Sequence, residues 1–213
     1  MASIQRKDNQ VISYLTLRTL IGFLGMGLPV LLILANYICY STWKVEDSIS
    51  DYYNNEAAGD IFVGVLFVLG FFLLSYKGYE PVDNRTANFG CVFSLGLALF
   101  PTTSHVKFVH IMHFVFALLL FSVFIFFSLY LFRKTDKKGV LNKQKKNRNR
   151  VYLICGIIMV ICVLAIAAFC LINSWVIIAV QYNLIFWFET IALGTFGFSW
   201  ITKGELLWQD AKN

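Results

Sequence analysis

Long apolar stretches alternate with short polar ones along the whole chain. Six apolar runs can be drawn, at about 19–40, 61–79, 87–102, 108–132, 151–172 and 183–202. Crossing a ~30 Å hydrocarbon core takes roughly 17–25 residues at ~1.5 Å each, and most of the runs reach that length. The third is the shortest and carries Pro101 near its end, so it ends early or pairs with a thinner patch of bilayer. None of the runs alternates as a barrel strand does, and a backbone in lipid must satisfy its own hydrogen bonds, so the runs predict helices. The expected architecture is all-α: a polytopic transmembrane bundle of about six spans, making one transmembrane domain of residues 1–213. Arg6 and Lys7 precede the first run as they would in a signal peptide. The run is too long for a signal h-region, and no small-residue cleavage site follows it. It is expected to stay as the first span.

Composition agrees with this pattern. Hydrophobic residues make up 58% of 213 residues and charged residues 14%, against roughly 25% charged in soluble domains. That is too little charge to coat a water-exposed globule. The 21 Phe suit a surface lying against acyl chains.

Charge then orients the bundle. Segment 133–150, RKTDKKGVLNKQKKNRNR, has Asp136 as its only acid, whereas segment 41–60 has Lys44 as its only base against Glu46, Asp47, Asp51, Glu56 and Asp60. Bases accumulate on cytoplasmic loops, so 133–150 is expected inside, and six spans put both termini inside with it. Arg6, Lys7, Arg18, Lys77, Arg85, Lys203 and Lys212 then all fall on the inner side. Trp43, Trp175 and Trp187 are expected at the outer interface, and Trp200 and Trp208 at the inner one. The plasma (inner) membrane is the expected location. The net charge of +6 comes mostly from the inner loop. It reads as a topology signal, with attraction to anionic head groups as the sharper alternative, and no nucleic-acid fold accompanies it.

The cysteines Cys39, Cys91, Cys155, Cys162 and Cys170 all lie in apolar runs, without the spacing of a disulfide framework or a thiol metal site. Cys155, Cys162 and Cys170 recur on one face of the fifth run, as small residues at a helix contact would. Gly22, Gly25, Gly27, Gly194 and Gly197 likewise read as close-packing positions. No Gly-rich phosphate loop, nucleophile elbow, HExxH motif or internal repeat occurs.

Candidate chemistry gathers toward the outer side. All three histidines lie in PTTSHVKFVHIMH: His105, His110 and His113. His110 and His113 stand at i, i+3 and share a helix face; a helix running back through His105 would carry all three. Glu189 sits roughly 9 Å inside the last span, Asp60 opens the second, and Ser50 and Asp51 lie in SISDYY (48–53). A carboxylate in a membrane is costly and needs a partner, with His110 or His113 the natural one. Glu189, His113, His110 and Asp60 are therefore the candidate catalytic set, and Asp51, Ser50 and His105 candidate binding residues. His110, His113 and Glu189 are also a candidate metal set, because imidazoles and a carboxylate can hold zinc and activate water on a lipid ester or amide. Without metal, a carboxylate–imidazole pair can do acid–base work or bond a lipid head group. The plainer readings are a solvated His105, hydrogen-bonding histidines within the bundle, a loop-stabilising Asp51 and Asp60 as a helix N-cap.

SISDYY, His110 with His113, and Glu189 in FETIALGTFGFSW together resemble a six-pass membrane family. It includes the damage-regulated autophagy modulators and GPI-anchor lipid-remodelling proteins. Tyr52 and Tyr53 stand where that family carries small, Gly-rich residues. The resemblance implies a bacterial relative working at membrane lipids. A second similarity, to the seven-pass metal hydrolases that include alkaline ceramidases, rests on the gathering of His, Asp and Ser at one face; the seventh span and the H-x-x-x-H spacing are absent. Two functions stay open: a lipid-handling protein using the outer polar set, and a non-catalytic protein that binds or organises lipids or partner proteins. Membrane lipids are the expected partners, alongside a protein partner or a second copy of the chain.

Overall fold

The computed structural model describes residues 13–78, 80–102, 104–134 and 143–207. In chain order these form α1 (Tyr14–Tyr40), a 3-10 turn (Ile49–Asn54), α2 (Glu56–Leu74), α3 (Pro81–Leu99), α4 (Lys107–Phe126) with a π-helical turn (Phe127–Leu131), α5 (Lys143–Leu171), a short α6 (Asn173–Gln181) and α7 (Leu184–Lys203). No strand occurs among the described residues. The fold is an all-α polytopic bundle, and five helices (α1, α2, α4 with its π turn, α5 and α7) are long and apolar enough to cross a membrane.

Local chemistry sets the helix ends. The Ser13 hydroxyl caps α1 by accepting from the Thr16 N–H at 3.1 Å. α3 opens on a reciprocal capping box between Glu80 and Asp83 with Pro81 in the first turn, where a missing N–H costs nothing. It stops at Leu99 because Phe100 precedes Pro101 and turns extended, as steric conflict with a following proline requires. α2 starts at Glu56, earlier than the apolar run, because Asn55 holds the N-cap position and an acid in the first turn suits the helix dipole. Asp60 is therefore inside the helix rather than its cap. α5 likewise starts at Lys143, well before the apolar run, since Lys, Gln and Arg are good helix formers. α6 was not expected from the pattern, which treats 173–182 as a connection.

The full-length helices close a ring. α1 packs between α2 and α7, α2 between α1 and α3, and α3 against α4; α4 meets α5, and α5 packs on α7. Phe196 of α7 stacks on Phe124 of α4 at 3.7 Å between ring centres. The α1–α7 seam is the tightest. A Cβ on Gly22 would stand 2.6 Å from the Gly197 carbonyl oxygen, and one on Gly25 2.7 Å from the Phe196 ring. Gly27 and Gly194, also read as packing positions, have nothing within 4 Å of such a Cβ; they face away from the seam. Cys155 and Cys162 are buried, but Cys170 is exposed, because eight residues after Cys162 leave it about 80° further round the helix.

The starts of α1, α3, α5 and the ends of α2, α4 and α7 share one end of the bundle, here the basic end. Arg18 near the start of α1 bonds the carbonyl of Lys203 at the end of α7. The opposite, acidic end carries the 41–55 loop, the α3–α4 turn and α6. Trp43, Trp175 and Trp187 are exposed at the acidic end. Trp200 is wholly buried, not an interface anchor, because Tyr76, Phe127 and Phe132 pack around it. Trp208 lies outside the described residues, as do Arg6, Lys7, Lys212 and residues 135–142 of the base-rich loop, Asp136 among them. Between the ends the outer surface is apolar, with Phe23, Val30, Phe89, Val92, Leu118, Ile161 and Leu164 all exposed.

Candidate functional site

The 41–55 loop lies across the acidic end, and α7 holds it. Asn183, just before α7, adopts the left-handed region with φ 49°, which asparagine tolerates better than most residues. Its side-chain amide donates to the carbonyls of Val45 (2.7 Å) and Glu46 (3.1 Å). The Phe186 N–H donates to the Asp47 carbonyl at 3.0 Å. Glu189, about 8 Å into the helix, accepts from the Ile49 N–H at 2.6 Å. The partner of the membrane carboxylate is therefore a main-chain amide of the loop, and neither His110 nor His113.

The loop's own turn is capped locally. The Ser48 hydroxyl donates to the Asp51 carboxylate at 2.8 Å and accepts from the Asp51 N–H at 3.2 Å, with the Ser50 hydroxyl 3.1 Å away. Tyr52 is buried against Phe186, and burial pushes its phenol above the usual range. The Tyr53 hydroxyl donates to the Ala98 carbonyl of α3 at 2.9 Å. On the α1 side, Asn55 donates to Asn36 (3.0 Å) and to Glu46 (3.3 Å). Glu46 also accepts from Lys44 at 2.9 Å, and that bond raises the Lys44 ammonium's pKa.

The histidines hold the neighbouring turn. His113 Nδ1 lies 2.6 Å from the Phe100 carbonyl, and His110 Nδ1 lies 2.7 Å from the Thr102 carbonyl. A ring nitrogen facing a carbonyl must carry the proton, which fixes both tautomers. Thr102 in turn donates to the Ser50 carbonyl at 3.4 Å. Glu189 and His110 are thus joined through Ile49, Ser50 and Thr102 and not by contact. His113 is buried and His110 exposed. α4 begins at Lys107, so His105 precedes the helix and is exposed. Asp60 is exposed on α2.

Among the described residues, no hydrogen bond or ion pair joins Glu189, His110, His113 and Asp60 to one another. Nor do three His, Cys, Asp or Glu side chains there gather as metal ligands would. The arrangement brings Glu189, Ser50, Asp51, His110 and His113 to one end of the bundle and spends most of their hydrogen bonds on the loop and the turn. Sequence reasoning missed Asn183, Asn36, Asn55 and Thr102. Two of them carried a signal: Asn36 interrupts an apolar run and Asn183 stands at the head of another. No protein-family model, curated protein or solved structure matches the chain.

Proposed function

We propose that the chain is a six-pass protein of the plasma membrane that binds and organises lipids along its apolar flanks without catalysis. The observation that carries this reading is the use of the acidic-end polar groups: Glu189, His110 and His113 each bond a main-chain group of the loop or turn. Main-chain bonding at these positions is what a fastened loop needs, and among the described residues Glu189 has neither His110 nor His113 as a hydrogen-bond partner. The sixth pass is α3. Its 19 residues give a length of about 28 Å. Its start lies by Lys134 at the end of α4, while Ala98 lies by Tyr53 of the loop. With α3 counted, α1 starts and α7 ends on the same side, inside. Cysteine labelling of intact cells tests this: Asn54→Cys should react with an impermeant maleimide, and Asn142→Cys, outside the described residues, should not.

The functional test is the lipid that co-purifies in mild detergent. Glu189→Gln and His113→Ala should lower thermal stability and leave the amount and class of bound lipid unchanged. Loss of lipid at unchanged stability would favour the second reading, a head-group site. One observation supports that reading. Ile49 engages only one oxygen of Glu189, and Asp51 lies within electrostatic reach, so two carboxylates there suit the ammonium of a zwitterionic head group. The resemblance to lipid-remodelling proteins enters here as part of the same proposal.

A further inference from the structure

The basic end buries cations where α1 starts and α7 ends. Arg18, Arg148 and Lys203 are each more than nine-tenths buried. Lys203 lies within electrostatic reach of Arg18, Lys145 and Arg148 and of the Asp83 carboxylate, and Glu205 stands 3.9 Å from Arg148. Aromatic rings wall this region. The Arg18 guanidinium lies 4.4 Å over Tyr14 and 5.5 Å over Tyr76. The Lys203 ammonium lies 5.5 Å over Phe132, and Trp200 packs on Tyr76 and Phe132 at 5.2 and 5.0 Å.

Two donors here meet no acceptor among the described residues. The Arg18 Nε–H and the Trp200 indole N–H are buried without a hydrogen-bond partner there, and both residues lie against the Tyr76 ring. Buried donors in folded proteins are nearly always satisfied, and each exception asks for a cause, an ion among them. A group that meets both donors must offer at least two acceptor lone pairs, as an oxyanion does, and surroundings rich in cations favour negative charge on it. The depth is also suitable: Arg18 stands about 6 Å along α1, within reach of the interface where lipid phosphates lie, and basic pockets between helices at that level bind anionic head groups.

We propose that the basic end is a binding site for a phosphate-class oxyanion, with Arg18 and Trp200 as its hydrogen-bond donors and Lys203 and Arg148 supplying charge. The phosphate of an anionic lipid and free inorganic phosphate share this chemistry.

The full chain in a neutral detergent tests it by thermal unfolding. Titrants are inorganic phosphate, short-chain phosphatidic acid and short-chain phosphatidylcholine, each against sodium chloride at matched ionic strength. A saturable rise in Tm with inorganic phosphate supports the site and a free-ion source. A rise with phosphatidic acid alone supports the site and a lipid source. Trp200→Phe keeps an aromatic ring and removes the N–H, and should weaken binding roughly tenfold or more. Arg18→Lys keeps the charge and removes Nε, and should do the same, so the test survives if one variant fails to fold. No rise beyond the chloride control, an equal rise with phosphatidylcholine, or unchanged binding in whichever variants fold would overturn the proposal.

Discussion

At the acidic end Glu189, His110, His113, Asn183 and Thr102 each direct a polar side chain to a main-chain N–H or carbonyl. The basic end has main-chain bonds too, from Arg18 to the Lys203 carbonyl and from Lys145 to the Phe132 carbonyl, but there Arg18, Lys203 and Lys134 also lie over aromatic faces, and Lys134 sits beside Glu80 and Asp83. Both ends must satisfy polar groups near a low-dielectric core, where an unpaired group is costly. Fixed main-chain partners tie loops to helices and depend little on salt. Charges held by rings and other charges respond to ionic strength and to whatever ion enters. The acidic end is built as a fastening, the basic end as an electrostatic environment.

The difference can be erased or sharpened by substitution. Gly197→Val should have the largest effect, because the α1–α7 seam supports both ends and any Cβ at Gly197 meets Gly22 and Met26. A cost of roughly 3 kcal/mol, toward the upper end for overpacking, should appear in denaturant unfolding, with loop and basic-end probes melting together. His113→Ala should cost roughly 2–3 kcal/mol, from a lost buried bond and the space left behind. The same change at exposed His110 should cost about 1 kcal/mol, and neither value should move between low and high salt.

Asp83→Asn probes the other end. Its cost should be roughly 1–2 kcal/mol, below the ~3–5 kcal/mol of a wholly broken buried pair, because Lys134 keeps Glu80 at 2.8 Å. This cost should shrink as salt is raised from about 0.01 to 0.15 M, since screening relieves the cations left behind. A salt-independent cost would mean that Asp83 acts only as a cap. Lys44→Ala should be smallest, at about 0.5 kcal/mol or less, because the Lys44 side chain is 69% exposed in its pair with Glu46. Thermal unfolding of the purified variant is enough to check it.

The helices were legible in the sequence because apolar run length is a direct consequence of bilayer thickness. The close approach at Gly22 and Gly197 was legible for a similar reason, since small residues recurring on one helix face let backbones meet. The wiring was not. Glu189 bonds Ile49, and His110 bonds Thr102, through main-chain groups that every residue carries, so no side-chain pattern marks them. The same blindness moved Asp60 to a cap position and Trp200 to an interface. A cap depends on where the backbone turns, and Trp200 is buried because Tyr76, Phe127 and Phe132 reach it from distant parts of the chain.

Amide hydrogen exchange at Ile49 tests the fastening most directly. In the unmodified protein the Ile49 N–H, held by Glu189 at 2.6 Å, should be protected. In Glu189→Ala that protection should be lost while amides in the middle of α7 keep theirs; Glu189→Gln, whose side-chain oxygen can still accept, should retain part of it. An Ile49 amide that exchanges freely in the unmodified protein, or stays equally protected in Glu189→Ala, would contradict the account.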